Sequence, residues 1–341
     1  MDDLLTCRIQ ARKRLAAFLL LGFLIVGIFP FDVPSYSSSQ VGLSVFLPPR
    51  PDYGAVGIAT ALKADIFALE ALQVRLNYAN SEESVIESVV EDPSAVGLVS
   101  ATNFLKARAR GLPIVAFAAG YLETPVVFYV LESSQIRTPS DFLGKRIGYG
   151  SGDERQFAYE IMMLRLHLPR SQIREVNGFE SATPLANDSL DVWPGIIGEA
   201  SAALREKGVR FRAIRPSDSG VHILGTVFFC NQDALKQFRD SLTDFMRGVI
   251  AGWDFVYTNL GKQTSDGIFG PAYSNAVINF VMDEQRSYIR PFGLRIGEFD
   301  RQQWKATQDA LVDVQLLHRP MDISRFADFE IIKDAYRKTK P

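Results

Sequence analysis

From residue 41 onward the sequence alternates short apolar runs with stretches of helical period. That alternation confines the chain to strands joined by right-handed helical crossovers, in mostly parallel sheets covered by helices on both faces. Residues 41–47, 74–78, 95–99 and 113–119 have the length and apolar content of buried strands, whereas 55–70, 82–90 and 101–110 carry apolar residues at helical steps. The fold class read from this pattern is α/β.

The pattern then repeats. Strands are expected at 146–149, 173–176, 192–196 and 211–214, with helices at 153–168, around Leu185 and at 199–207. Two further apolar runs, 126–131 and 223–229, bracket this second unit, as they would if it were inserted into the first and joined by two crossing strands. In the carboxyl third, Leu235, Phe238, Leu242, Phe245, Val249, Trp253, Val256 and Leu260 step by three or four residues. This predicts one helix of about seven turns, ended by Gly261 and packed back on the first sheet. The expected division is a first lobe over 40–130, an inserted second lobe over 131–223, and a helical return to the first lobe over 224–341.

Residues 1–39 read differently. Arg8, Arg12, Lys13 and Arg14 precede an uncharged run from 15 to 29, followed by Pro30, Pro34 and several serines. This is the order of an export signal. Fifteen helical residues span about 22 Å, short of a hydrocarbon core of about 30 Å, so a cleaved signal is favoured over an anchor at 15–29. The expected location is the periplasm or the exterior of the cell envelope. Ser37–Ser39 offers small residues for cleavage.

Composition removes several functions. Lys and Arg number 37 against 39 Asp and Glu, a net charge of -2, so there is no bulk positive field for a polyphosphate backbone and nucleic acid is not an expected partner. Two cysteines, Cys7 and Cys230, and three histidines are too few for a zinc ribbon, an iron–sulfur cluster or a disulfide scaffold. No metal or cofactor is expected. Nucleophile-elbow and zinc-protease patterns are missing too.

Four segments carry a family resemblance. RTPSDFLGKRIGYGSG at 137–152, DVWPG at 191–195, AGWDFVYTN at 251–259 and FGLRIGEFDRQQWKATQDALV at 292–312 resemble, in this order and spacing, the solute-binding proteins of ABC importers. The class is the one that binds thiamine-pyrimidine precursors and sulfonates. The resemblance implies a two-lobed type II periplasmic-binding fold, a small ligand held between the lobes, and a membrane permease and ATPase as partners of a monomer. It implies no catalysis, although pyrimidine synthases with a cysteine-rich iron motif share the fold. A sulfonate or nitrate binder and a membrane-anchored sensory ectodomain are the other readings.

Ligands of open α/β sheets bind beyond the carboxyl ends of strands, which directs attention to the loops at 48–54, 100–103, 151–153 and 193–195. Candidates there are Tyr53, Ser100, Asn103 and the glycine-rich turn with Ser151, Gly152 and Asp153, whose main-chain NH groups could approach a ligand. Trp193 could stack on a flat ring. Glu199 opens a helix four residues past Gly195. The related pyrimidine binders place a glutamate there in an Asn-Glu-Pro context, whereas this chain has Gly198-Glu199-Ala200. Tyr121 lies in a strand-end loop, and Asp218 and His222, near the second crossing, could line the cleft. Carboxylates at helix starts, with Arg155 as the nearby base, disfavour an anionic ligand, so a neutral or amine-bearing ring is expected.

Overall fold

The computed structural model describes residues 41–48, 53–149, 154–177, 181–260, 274–291 and 293–337. Residues 1–39, where an export signal is expected, and the turn residues Ser151, Gly152 and Asp153 lie outside the described residues.

Strands β1 (Val41–Leu47), β2 (Leu72–Tyr78), β3 (Ala95–Ser100) and β4 (Ile114–Ala119) run parallel in the first sheet. Strands β5 (Val126–Leu131), β6 (Arg146–Tyr149), β7 (Arg174–Asn177), β8 (Trp193–Ile196) and β9 (Phe211–Ile214) form the second, and β10 (Thr226–Asn231) returns to the first. The first sheet has the order β2-β1-β3-β10-β4, with β10 antiparallel to both neighbours. In the second, β5 lies antiparallel between β8 and β9, β6 pairs parallel with β7, and a parallel bridge from Ile147 to Val192 joins β6 to the start of β8. Its order is therefore β7-β6-β8-β5-β9, the same pattern. In each sheet the antiparallel strand is the one that arrives from the other lobe. Every residue of β3 and β4 is buried, as covering by helices on both faces requires.

The helices are α1 (Val56–Lys63), α2 (Ile66–Leu69), α3 (Glu82–Glu91), α4 (Ala101–Ala109), α5 (Glu154–Arg165), α6 (Thr183–Ala186), α7 (Glu199–Glu206), α8 (Gln232–Gln237), α9 (Arg239–Thr258), α10 (Asn275–Glu284), α11 (Arg286–Ile289), α12 (Arg301–Asp313) and α13 (Glu330–Arg337). Two expected helices are each divided. The stretch 55–70 breaks at Asp65, which takes a left-handed φ of 55°, and the long carboxyl-terminal helix breaks at Phe238 into α8 and α9. Apolar spacing continues across both breaks, because spacing reports which face is buried and not where the hydrogen bonds stop. Helix α9 packs on the first lobe as expected: Phe245 stacks on Phe67 and meets Phe228 of β10 edge-on.

The crossings precede the two bracketing strands. Segments 120–125 and 221–226 lie side by side, with Gly120 NH donating to the Thr226 carbonyl at 2.8 Å and Thr124 NH to that of Ile223 at 2.8 Å. Gly225 has no room for a side chain, since a Cβ there would strike the Glu123 carbonyl and lie 2.8 Å from Tyr121 Cβ. Part of the helical return reaches the inserted lobe. The Arg205 guanidinium of α7 covers the Phe280 ring of α10 at 3.5 Å, and Arg165 of α5 pairs with Asp313 of α12 at 2.6 Å.

Candidate ligand-binding cleft

A cavity of about 220 Å³ opens where the carboxyl ends of strands from both sheets face each other. Leu47 and Pro48 end β1, Val99 and Ser100 end β3, and Ile196 ends β8; Pro125 and Thr226 come from the crossings. Glu82, Glu154 and Glu199 enter at the first residues of α3, α5 and α7. Two larger hollows, about 570 and 420 Å³, lie elsewhere on the first lobe. One is lined by Gly42 and Leu72, at the amino ends of β1 and β2, and the other by Val115, at the amino end of β4. They are at the wrong end of a parallel sheet for a ligand, so the smaller interlobe cavity is the candidate.

The first-lobe wall is tightly built. Glu82 accepts the Ser100 NH at 2.9 Å, the Ser100 hydroxyl at 2.7 Å and the Asn103 side-chain amide at 2.6 Å. The Ser100 hydroxyl also accepts the Asn103 NH at 3.2 Å and so caps α4. Thr226 accepts the Tyr121 NH on its hydroxyl at 2.9 Å. Apolar walls from Leu47, Leu98, Val99 and Ile196 surround these groups. Among the described lining residues there are three carboxylates and no lysine, arginine or histidine.

Of the residues singled out from sequence, Ser100 and Glu199 line the cavity, and Asn103 stands behind Ser100 in the Glu82 network. The main chain of Tyr53 begins a short turn ending at Ala55, while its side chain lies outside the described residues. Others are elsewhere. Trp193 is only 4% exposed and packs against Tyr129 in the inserted lobe. It is absent from the residues lining the cavity, and its six-membered ring lies over Gly195, so the indole is packed within the inserted lobe. Tyr121 is fully buried and donates its hydroxyl to Gln285 at 2.8 Å, a fixed crossing residue that is absent from the cavity wall. Asp218 is exposed on the turn Ser217–Ser219. His222 is exposed, with Nδ1 3.6 Å from Glu123 of the other crossing. Ser151, Gly152 and Asp153 fall outside the described residues.

Glu154 was expected only as a helix-start acid near the cleft, and sequence reasoning missed Glu82, Pro125, Ile196 and Thr226. The available signal was the loop after β2, where Ser81 caps α3 and Glu82 follows; that loop is also a strand-end loop of the first sheet. Among the described residues, no group of three His, Cys, Asp or Glu side chains is placed to hold a metal ion, and no helix is long and apolar enough to cross a membrane.

Comparison with known proteins agrees with this architecture. The riboflavin-binding protein RibY of Chloroflexus aurantiacus is 21% identical over 303 residues, which cover 84% of each chain. Among solved structures, the alkanesulfonate-binding protein SsuA of Xanthomonas axonopodis pv. citri, bound to MOPS, superposes with a TM-score of 0.63 at 14% identity, over 85% of this chain and 98% of that one. The desulfurization enzyme DSZB superposes with a TM-score of 0.61 at 14% identity, over 88% and 99%. The shared fold is the two-lobed periplasmic-binding type, and these likenesses establish the fold alone. Residues 54–259 match the family described as NMT1/THI5 like; with more than half its length matched, the chain belongs to that family.

Proposed function

We propose that this protein is the substrate-binding component of an ABC importer, capturing a small neutral or cationic heterocycle of the thiamine-pyrimidine type in the interlobe cleft. The observation that carries the ligand class is the set of described lining residues: Glu82, Glu154 and Glu199 with no base among them. A sulfonate placed there would face like charge, whereas an amine or ring N–H can donate to a carboxylate. The volume supports a single-ring solute, because about 220 Å³ lies below the range of about 300–1,000 Å³ usual for drug-sized ligands.

The reading carries further parts. Residues 1–39 direct export, lobes over 40–130 with 224–341 and over 131–223 close about the crossings, and the loaded protein delivers its solute to a permease and ATPase in the membrane. The function is binding without catalysis. Cys230, the single cysteine after residue 7, is fully buried, and burial pushes its thiol far above the thiolate range, which leaves it unsuited to nucleophilic or metal chemistry.

Calorimetry of the purified chain against an aminopyrimidine, an alkanesulfonate and riboflavin tests the ligand class. Saturable aminopyrimidine binding with at least tenfold preference over the sulfonate is the expected result. Tight sulfonate or riboflavin binding with none for the aminopyrimidine would replace this reading by that of the corresponding relative.

A further inference from the structure

The hollow of about 420 Å³ at the amino end of β4 gathers bases from three segments: Arg108 near the end of α4, Lys236 on α8 and Arg325 in the turn Ile323–Arg325 before α13. Strand-end logic sets it aside as the solute cleft; its charge is what marks it. Asp328 is the single acid on its wall among the described residues, and that carboxylate is already committed. It accepts the Arg239 guanidinium at 2.9 and 3.3 Å and the main-chain NH groups of Glu330 and Ile331 at 2.9 and 3.0 Å.

The bases are not matched in the same way. Arg108 donates to two main-chain carbonyls, those of Leu112 and Arg325, the second at 3.2 Å, and its buried Nε has no partner among the described residues. No carboxylate among them pairs with it. Burial, and then the neighbouring Arg325, disfavour its charged form, yet a guanidinium stays protonated. Arg325 is exposed, and its side chain makes no hydrogen bond or ion pair among the described residues. Asp322, three residues before it, accepts the NH and hydroxyl of Ser324 at 3.0 and 2.8 Å. Lys236 meets Asp233 at 3.6 Å with both groups exposed, a contact worth little. Three positive charges therefore line a hollow whose one acid is spent elsewhere.

We propose that this hollow is a second ligand site, separate from the interlobe cleft, and that it takes a phosphate monoester, the chemistry of a small soluble ester or of a phosphatidic-acid headgroup. A dianionic phosphoryl group matches the excess of positive charge, and guanidinium forks suit its oxygens. The Gln232 amide on the same wall can donate to another. Val115, Leu235 and Ala327 supply an apolar side, and the volume falls within the range of about 300–1,000 Å³ usual for small-molecule sites, which leaves room for an organic group beside the phosphate. None of its walls comes from residues 131–223, so it can fill whether or not the cleft holds a solute.

Calorimetry of the full-length chain with phenyl phosphate and with inorganic phosphate, at constant ionic strength, tests this. Saturable binding is expected, tighter for phenyl phosphate because of the apolar side. Arg325→Gln should raise the Kd about tenfold or more, and Lys236→Gln should raise it as well; both replace exposed side chains, so the fold should persist. Glu199→Gln, in the cleft, should leave this binding unchanged. No saturable binding of either probe, or binding that both Arg325→Gln and Lys236→Gln leave intact, overturns the proposal. Vesicles of phosphatidylcholine alone and with added phosphatidic acid separate the two sources. Pelleting that needs both phosphatidic acid and Arg325 assigns the group to a lipid headgroup, whereas its absence, with phenyl phosphate bound, assigns it to a soluble ester.

Discussion

Glu82 receives Ser100 twice, its main-chain NH at 2.9 Å and its hydroxyl at 2.7 Å, so the end of β3 and the start of α3 are locked together at the cleft. Ser100 was expected among the ligand-binding residues. Its hydroxyl is already donated to the carboxylate, and its lone pair accepts the Asn103 NH. The first-lobe wall is therefore preorganised through Glu82. Removing that carboxylate with Glu82→Ala should lower stability by about 1.5–3 kcal/mol, the range for hydrogen bonds to a charged acceptor, with Glu82→Gln intermediate. Urea unfolding checks the order; equal stability of all three proteins refutes the lock.

The crossing peptides depend on a missing side chain. Gly225 faces the Glu123 carbonyl, and a Cβ there would also lie 2.8 Å from Tyr121 Cβ, while Gly225 NH donates to the Tyr121 carbonyl at 3.2 Å. Backbone cannot step aside as a flexible side chain can, so Gly225→Ala should cost about 1–3 kcal/mol by overpacking. Gly42, with nothing within 4 Å of the same position, is the control: Gly42→Ala should stay within about 0.5 kcal/mol. Denaturant midpoints compare them, and equal midpoints for the two variants contradict the close crossing.

Acid should weaken the inserted lobe. Asp191 accepts the Arg146 NH at 2.8 Å and its guanidinium at 2.9 and 3.0 Å, while Glu175 accepts Arg170 and the hydroxyls of Tyr149 and Tyr159. Hydrogen bonds from Arg146 hold Asp191 below its ordinary range, and those from Arg170, with the two phenols, do the same for Glu175. Burial, with Glu175 alongside, raises the Tyr149 phenol to about 12. For a depressed carboxyl the stabilisation is present above the unfolded-state value and is lost as pH falls through the folded-state one. The melting temperature should therefore drop below the ordinary carboxylate range. Asp191→Asn and Glu175→Gln should each start lower at neutral pH and flatten the decline; an unchanged acid slope in both counts against the assignment.

Much of the architecture was legible because buried strands are short and continuous: 41–47, 126–131, 146–149 and 211–214 coincide with β1, β5, β6 and β9. The breaks at Asp65 and Phe238 were not, since local backbone geometry leaves apolar spacing untouched. Within the cleft, Ser100 and Glu199 could be found from strand-end logic. Glu82 and Glu154 looked like ordinary helix-start acids, stabilised by the helix dipole, and only the facing of two sheets gathers them with Glu199. Trp193 could not be placed from sequence, because aromatic character does not separate an indole packed in the core from one on the cavity wall.

Glu199 and Trp193 consequently separate binding from folding. Glu199 lies at the first residue of α7 on the cavity wall, and its loss should act on the ligand. If an aminopyrimidine donates to this carboxylate, Glu199→Gln forfeits about 1.5–3 kcal/mol, which is about 10- to 150-fold in Kd at about 1.4 kcal/mol per decade. Fold stability should change little, because the new amide keeps the shape of the side chain. Trp193, buried against Tyr129 and touching the space above Gly195, should behave oppositely. Trp193→Phe should lower the melting temperature through a smaller, imperfectly filled core, while ligand affinity stays within about threefold, since Trp193 is not among the residues lining the cavity. Calorimetry and thermal melting of both variants give the pair of numbers. A large affinity loss in Trp193→Phe with none in Glu199→Gln would place the ligand against the indole after all and move the site away from the three-carboxylate cavity.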